Sequence, residues 1–189
     1  MCQNADRNFH NQPRRLRAKE NTMSLIEWFR HRKDLLKCVH TLKVGPTYGQ
    51  KRIASATDVF AEIEPAFNSH IAVEQCTMDT YLLAYELKRD ATFREMFEWL
   101  TKNKNLSKNI NSLCMTQNQI VDLASKCPHW LIDSNRSAIM LFESKGQLCV
   151  AVMSVKKEEK FRINFFTLDY PISWLGEFHH LVIIPSNAG

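Results

Sequence analysis

Residues 138–155 read AIMLFESKGQLCVAVMSV, and this stretch decides the fold. Two apolar runs stand at residues 138–142 and 148–155, and each has the length of a β-strand rather than that of a helix. The residues between them, Ser144-Lys-Gly-Gln147, are typical of a tight turn. The stretch therefore predicts two antiparallel strands that are joined as a hairpin.

Two more strands are predicted downstream of this hairpin. Residues 161–168 and 181–184 are rich in Phe, Leu, Ile and Val, and the polar residues 156–159 form a longer turn before them. Sequential strands with short links usually form an antiparallel meander, whose apolar faces need helices to cover them. We therefore expect an α+β fold, a single domain in which amino-terminal helices pack on a largely antiparallel sheet formed mainly by the C-terminal half.

Upstream segments have the apolar spacing of helices. Two of them begin with a capping box, Ser24-Leu-Ile-Glu27 and Thr116-x-x-Gln119, in which side chains bond the free backbone N–H groups of the first turn. Tyr81 and Tyr85 fall on the apolar face of one segment, so we expect both in the core. The predicted helices span residues 24–40, 50–63, 77–103 (or two helices with a break near 90–92) and 116–127.

Positive charge is concentrated at the start of the chain. The net charge is +5, but residues 1–52 hold 12 Lys and Arg against 4 Asp and Glu, and the rest holds 13 against 16. This asymmetry favours a polyanion binder, with nucleic acid first and anionic lipid second, although a solvated basic tail would have the same composition. Residues 1–22 are too polar to fold alone and are predicted to form a mobile basic arm before a single domain at 23–189. The candidate DNA-binding residues are Arg14, Arg15, Arg17, Arg30, Arg32 and Lys33.

Composition also excludes several classes of protein. No apolar run approaches the roughly 18 residues of a membrane span, and the polar N-terminus lacks the apolar segment of a signal peptide. The 6 cysteines are scattered without the spacing of a zinc site, so they are expected to be reduced. We expect a cytoplasmic protein with no integral membrane segment, and peripheral contact with the inner membrane stays open.

The sequence of residues 44–56, VGPTYGQKRIASA, is the candidate site for an anion. Gly45 and Gly49 allow the backbone to approach a ligand closely, and Lys51 and Arg52 follow at a predicted helix start, where N–H groups favour phosphate. The spacing is not that of a Walker A loop. A plain Gly-Pro turn followed by a solvated basic helical turn is the structural alternative.

The motif Gly49-Gln-Lys-Arg52, which leads into Ile-Ala-Ser-Ala56, resembles the Gly-x-x-Arg box of the ParB/sulfiredoxin superfamily. The whole chain, with its basic arm and the segment MSLIEWFRHRK at residues 23–33, resembles the plasmid fertility-inhibition proteins of that superfamily. Gln50 and Lys51 stand where the family has an acidic residue and an arginine. The chain lacks the Gly-Cys-His-Arg of sulfiredoxins, so peroxiredoxin repair is not expected.

The resemblance implies an ATP-binding and ATP-hydrolysing DNase that blocks DNA transfer by a co-resident conjugative or type IV secretion system. Its partners would be DNA and components of that system. Carried onto this chain, Gly49, Lys51 and Arg52 would hold nucleotide or DNA phosphate, and Arg52 would stabilise the charge that develops during phosphoryl transfer. Gly45 is a candidate phosphate-binding residue through its place in the glycine turn. Cleavage would need Mg²⁺ or Mn²⁺.

Carboxylates that could serve such a reaction are few. Glu143 is a candidate catalytic residue because it ends a predicted strand beside a turn, and Glu62 and Glu64 are the candidate metal ligands. A non-catalytic inhibitor that binds DNA or the transfer channel through the same basic face is the alternative. A third possibility is an adaptor that binds lipid surfaces through its basic segment.

Overall fold

The computed structural model describes most of the chain after residue 33, and residues 34–189 form one compact unit. The described residues are 34–49, 51–70, 76–103, 106, 109–126, 131, 136–156 and 161–186. The strands are β1 (Leu36–Val44), β2 (Phe60–Ile63), β3 (Thr80–Leu87), β4 (Ser137–Ser144), β5 (Gln147–Val155), β6 (Phe161–Thr167) and β7 (Leu181–Ser186), and the helices are α1 (Phe93–Asn103) and α2 (Gln117–Ser125).

All seven strands belong to one mixed sheet, in the order β1-β3-β7-β4-β5-β6-β2. Four of the six pairs are antiparallel, and only β4 with β7 and β2 with β6 run parallel. The predicted strands of the C-terminal half and their meander are confirmed, including the hairpin turn, where Lys145 and Gly146 both have positive φ. The α+β class and the largely antiparallel sheet are thus confirmed.

Both faces of the sheet are buried. The central strands carry consecutive apolar residues, and neighbouring side chains project to opposite faces. In β4, Ala138, Met140 and Phe142 contribute to one core cluster, and Ile139 and Leu141 contribute to the other. Helix α2 packs on the first face and helix α1 on the second. These faces are called the α2 face and the α1 face below.

The predicted helices upstream of residue 90 are wrong wherever the structure describes them. Residues 36–40 belong to edge strand β1 instead of the end of a helix, and residues 80–87 form the inner strand β3. Residues 53–55 form a single turn of 3-10 helix, followed by strand β2 at 60–63. Among the described residues, the two α-helices are α1 and α2, which lie in the middle of the chain. The first part of the predicted helix 24–40 lies outside the described residues.

The two described helices start where the sequence places a cap. Thr116 accepts a bond from the backbone of Gln119, whose side chain bonds back to the Thr116 N–H, so the predicted capping box of α2 is confirmed. Thr92 and Glu95 make the same reciprocal pair before α1, at 2.7 and 3.3 Å. The predicted break near residues 90–92 is confirmed and helix α1 follows it, but the segment before the break is strand β3 and not a helix.

Candidate anion-binding site

The glycine turn is fixed to the rest of the protein at both ends. After β1, Thr47 and Thr77 exchange two backbone hydrogen bonds of 2.9 Å, and their hydroxyls lie 2.6 Å apart. Beyond the turn, the Ile53 N–H donates to the buried Gln117 Oε1 at the start of α2, at 3.1 Å. The described residues before and after Gln50 are therefore held in place, and those after it lie against α2.

The backbone of the turn agrees only in part with the sequence-based expectation. Gly49 has φ of 73°, a conformation that glycine adopts without strain, whereas Gly45 has no positive φ. Arg52 is extended, at φ −116° and ψ 145°, and precedes a 3-10 helix of only 3 residues. The prediction that Arg52 lies in the first turn of an α-helix is wrong, because the residues that follow it form only a single 3-10 turn.

A buried carboxylate organises the cations of the turn. The Lys51 Nζ lies 2.8 Å from Asp122 Oδ1, and the Lys126 Nζ lies 3.8 Å from Asp122 Oδ2. Asp122 is only 8% exposed, while both lysines are exposed. Sequence analysis missed Asp122 and Lys126. Their i,i+4 spacing on a helix was a usable signal, but nothing in the sequence links Lys51 to a residue 71 positions away.

These groups give the turn a positive electrostatic balance. Two lysines share one carboxylate, so these three side chains carry a net charge of +1, and the exposed Arg52 follows Lys51 in the chain. Lys126 also lies next to Gly45, since a Cβ built there would be 3.9 Å from its Nζ. We call Gly45, Gly49, Lys51, Arg52 and Lys126 the basic turn.

The structure does not bring Glu143 to the basic turn. Glu143 is exposed and lies on the α1 face of β4, beside Cys114, whose pKa is raised to about 12 by burial and then by the charge of Glu143. The basic turn lies on the other face of the sheet, because Lys51 pairs with Asp122 of α2. Glu143 and Arg52 therefore do not form one constellation.

The candidate metal ligands lie at the opposite edge of the sheet. Glu62 on β2 forms ion pairs with Lys156 and Arg162, the latter at 2.7 Å. The Glu64 Oε2 accepts a hydrogen bond from the Phe165 N–H at 2.6 Å. In the described parts of the chain, no three His, Cys, Asp or Glu side chains cluster as metal ligands would.

The predicted DNA contacts of the amino-terminal segment lie outside the described residues, as does the domain boundary at residue 22. They are Arg14, Arg15, Arg17, Arg30, Arg32 and Lys33.

Exposed apolar side chains next to the basic turn were also missed. Tyr48 is 74% exposed and Met78 is 83% exposed, and they follow Thr47 and Thr77 on the two sides of the bridge. Tyr81, which the sequence-based interpretation placed in a helical core, is half exposed on β3. Its predicted burial is wrong: Tyr81 lies near the start of β3, on the same α1 face as Tyr85, which is buried as predicted.

No helix in the described ranges is long and apolar enough to cross a bilayer. No family model, curated protein or solved structure matches this chain. The resemblance to the ParB/sulfiredoxin superfamily is therefore a prediction supported by the motif Gly49-Gln-Lys-Arg52 and by the overall make-up of the chain.

Proposed function

We propose that this protein binds the phosphate backbone of DNA through the basic turn and acts without catalysis. The observation that supports this proposal is the sharing of Asp122 by Lys51 and Lys126, which holds two cations close together beside Arg52. One carboxylate neutralises only one of them. The remaining positive charge is presented on a fixed backbone.

DNA is the polyanion that best fits the charge distribution of the whole chain. Residues 1–52 hold 12 Lys and Arg against 4 Asp and Glu, and the basic turn is the end of that segment. A duplex carries one negative charge per roughly 1.7 Å of its axis, so several separate cations on one protein can contact successive phosphates. Such contacts supply affinity without reading the base sequence.

The resemblance to fertility-inhibition proteins supports a biological setting for this binding. A protein that coats DNA or occupies a component of the transfer channel would inhibit a co-resident conjugative or type IV secretion system. The basic turn is the surface proposed to make that contact. Inhibition would then follow from occupancy, and neither ATP nor a divalent metal would be required.

The catalytic version of this function is the second candidate, and the Gly-x-x-Arg motif with its positive φ at Gly49 favours it. It would require ATP phosphates at Arg52 and Mg²⁺ or Mn²⁺ held by carboxylates nearby. In the described residues, Glu62 lies on β2, Glu64 directly after β2 and Glu143 on β4. The carboxylate that pairs with Lys51 is Asp122 instead. We therefore rank binding above cleavage.

The first experiment compares the binding of a labelled DNA duplex by the wild type and by Arg52→Ala over a range of salt concentrations. Arg52→Ala is expected to weaken binding and to reduce the slope of log K against log salt by about 0.9, the value of one phosphate contact. Arg94→Ala is the matched control, because it removes an exposed arginine from α1 on the other face of the sheet. It should leave both quantities unchanged.

A plasmid-nicking and ATP-turnover assay with and without Mg²⁺ or Mn²⁺ separates the two candidates. Binding without turnover supports the non-catalytic function. Metal-dependent nicking by the wild type that is lost in Arg52→Ala but retained in Arg94→Ala would replace it with the DNase. Equal loss of binding in both variants would show that only total charge matters, and the assignment to the basic turn would be wrong.

A further inference from the structure

We infer that the DNA bound at the basic turn is single-stranded, and that exposed aromatic side chains beside the turn stack on its bases. This inference rests on the proposed function and names its substrate class. The surface has two parts at the same end of the sheet. The basic turn, with Tyr48 and Met78 beside it, lies against α2, and Tyr81 and Lys43 lie on the α1 face. Thr77 links the two parts, because it bonds Thr47 and also lines the cavity beside Tyr81.

The bridge between the two loops directs Tyr48 and Met78 outward. The hydroxyls of Thr47 and Thr77 contact each other on the inner side, where Thr47 is 2% exposed. Neighbouring residues along an extended chain project to opposite sides, so Tyr48 and Met78 point away from the core. Their exposed fractions of 74% and 83% agree with this arrangement. A large aromatic ring and a thioether are thus displayed on the segment that carries Lys51 and Arg52.

A second aromatic ring lies at the same end of the sheet. Tyr81 pairs with Lys43 across the β1–β3 ladder, one position from Val44 and Thr80, which end β1 and begin β3. Tyr81 is 49% exposed, and the Lys43 Nζ binds Asp79 at 2.6 Å. Lys43 therefore neutralises the nearest carboxylate, so the ring at this position is not surrounded by unpaired negative charge.

A cavity beside Tyr81 is of a size and chemistry that suit one unpaired nucleoside. Its volume is about 370 Å³, near the low end of the roughly 300–1,000 Å³ of small-ligand sites. Hydroxyl, amide and carboxylate groups line it, and each can bond to a base edge or a sugar. The residues that supply them include Thr77, Asp79, Thr116, Gln119 and Ser186.

Exposed aromatic rings favour the binding of single-stranded DNA over duplex DNA. In a duplex the faces of the bases are covered by their neighbours, so exposed rings on a protein gain little from contact with it. An unpaired base can stack on an aromatic ring, which is worth about 1–3 kcal/mol per base by alanine substitution, while nearby cations follow the backbone. The combination of Tyr48, Tyr81 and the cations of the basic turn matches this mode of binding.

The test measures the affinity of the full chain for a labelled single-stranded oligothymidine and for a duplex of the same length by fluorescence anisotropy. The wild type is expected to bind the single strand at least tenfold more tightly. Tyr48→Ala and Tyr81→Ala are each expected to weaken single-strand binding about tenfold while leaving duplex affinity unchanged, and Tyr48→Phe and Tyr81→Phe should retain most of it because the ring remains.

Phe178→Ala is the matched control, since Phe178 is an exposed ring that precedes β7 at the opposite end of the sheet. It should bind both probes as the wild type does, and circular dichroism checks that each variant is folded. Equal affinity for the two probes, or single-strand affinity unchanged in both alanine variants, overturns this inference while the proposed function stands. Failure to bind either probe overturns both.

Discussion

At the scale of single residues, Asp122 determines how much charge the site presents. Asp122 lies on α2 and is buried, and its carboxylate lies between the amino groups of the exposed Lys51 and Lys126. A buried carboxylate needs such partners, because removing an ion from water is costly unless it is paired. The same pairing keeps the two lysines in place and reduces the net charge of the cluster. Asp122 therefore positions the cations of the site and also weakens their attraction for a phosphate.

Replacing Asp122 by Asn should separate these two effects. Asp122→Asn keeps the shape of the side chain and removes one negative charge, so DNA affinity should rise and its dependence on salt should steepen. The free energy of unfolding, measured by urea denaturation, should fall because the ion pairs are lost. Asp169→Asn is the control, since Asp169 pairs with the exposed Arg94 on the α1 side. Weaker DNA binding by Asp122→Asn in folded protein would contradict the proposed electrostatics.

At the scale of elements, strands β4 to β7 and helix α2 could be predicted because each has an unambiguous local signal. The apolar runs of the last four strands are too short for helices and are separated by polar turns. Helix α2 begins with a capping box. Sequence patterns also identified Gly49, Lys51 and Arg52 as neighbours in a turn, but these residues are close together in the chain, so no tertiary contact had to be predicted.

The remaining elements could not be predicted, for different physical reasons. Strand β3 is an inner strand with apolar side chains on both faces, and such a run fits a helical period as well as an extended one. Strand β1 lies at the edge of the sheet, so much of it is exposed and its apolar residues do not alternate cleanly. Asp122 belongs to the site only through its tertiary contact with Lys51, which the sequence does not reveal.

The capping box of α1 predicts a dependence of stability on pH. Hydrogen bonds from the Thr92 backbone N–H, and then from its hydroxyl, lower the pKa of Glu95 below its ordinary value of 4.5. The ionised carboxylate is therefore stabilised by folding. This contribution is fully present above about pH 4.5 and is lost as the pH falls through the lower pKa of the folded state.

Urea denaturation of Glu95→Gln at pH 7 and at pH 3 tests this link. The variant should be less stable than the wild type at pH 7, and the difference should shrink at pH 3, where the wild-type carboxyl is also becoming neutral. Glu177→Gln is the control, because Glu177 is exposed in the loop before β7. A difference that is the same at both pH values would show that Glu95 acts through packing alone.

At the scale of the whole molecule, the sheet consists of two parts that meet at one seam. Strands β1, β3 and β7 form one part, and β4, β5, β6 and β2 form the other. The seam is the parallel pair of β4 and β7, with the register Ala138 to Leu181, Ile139 to Val182 and Met140 to Ile183. Both hydrophobic cores cross it, so the two parts are expected to unfold together.

Truncating a side chain at the seam should therefore destabilise the whole unit. Ile183 is fully buried next to Met140 and Ala84, so Ile183→Ala should cost about 2–5 kcal/mol of unfolding free energy. Ile172→Ala removes the same atoms from an exposed position and should cost less than about 0.5 kcal/mol. Tryptophan fluorescence and circular dichroism should report one coincident transition; two separate transitions would mean that the parts fold independently.

The position of β7 has a consequence for synthesis on the ribosome. This strand is the last one in the described chain, yet it lies in the middle of the sheet, between β3 and β4. Until it leaves the exit tunnel, the nascent polypeptide exposes two unpaired inner strand edges that other chains can join. Newly made protein should therefore depend on chaperones until the last strand emerges, and premature termination before residue 181 should yield inclusion bodies rather than a smaller folded product.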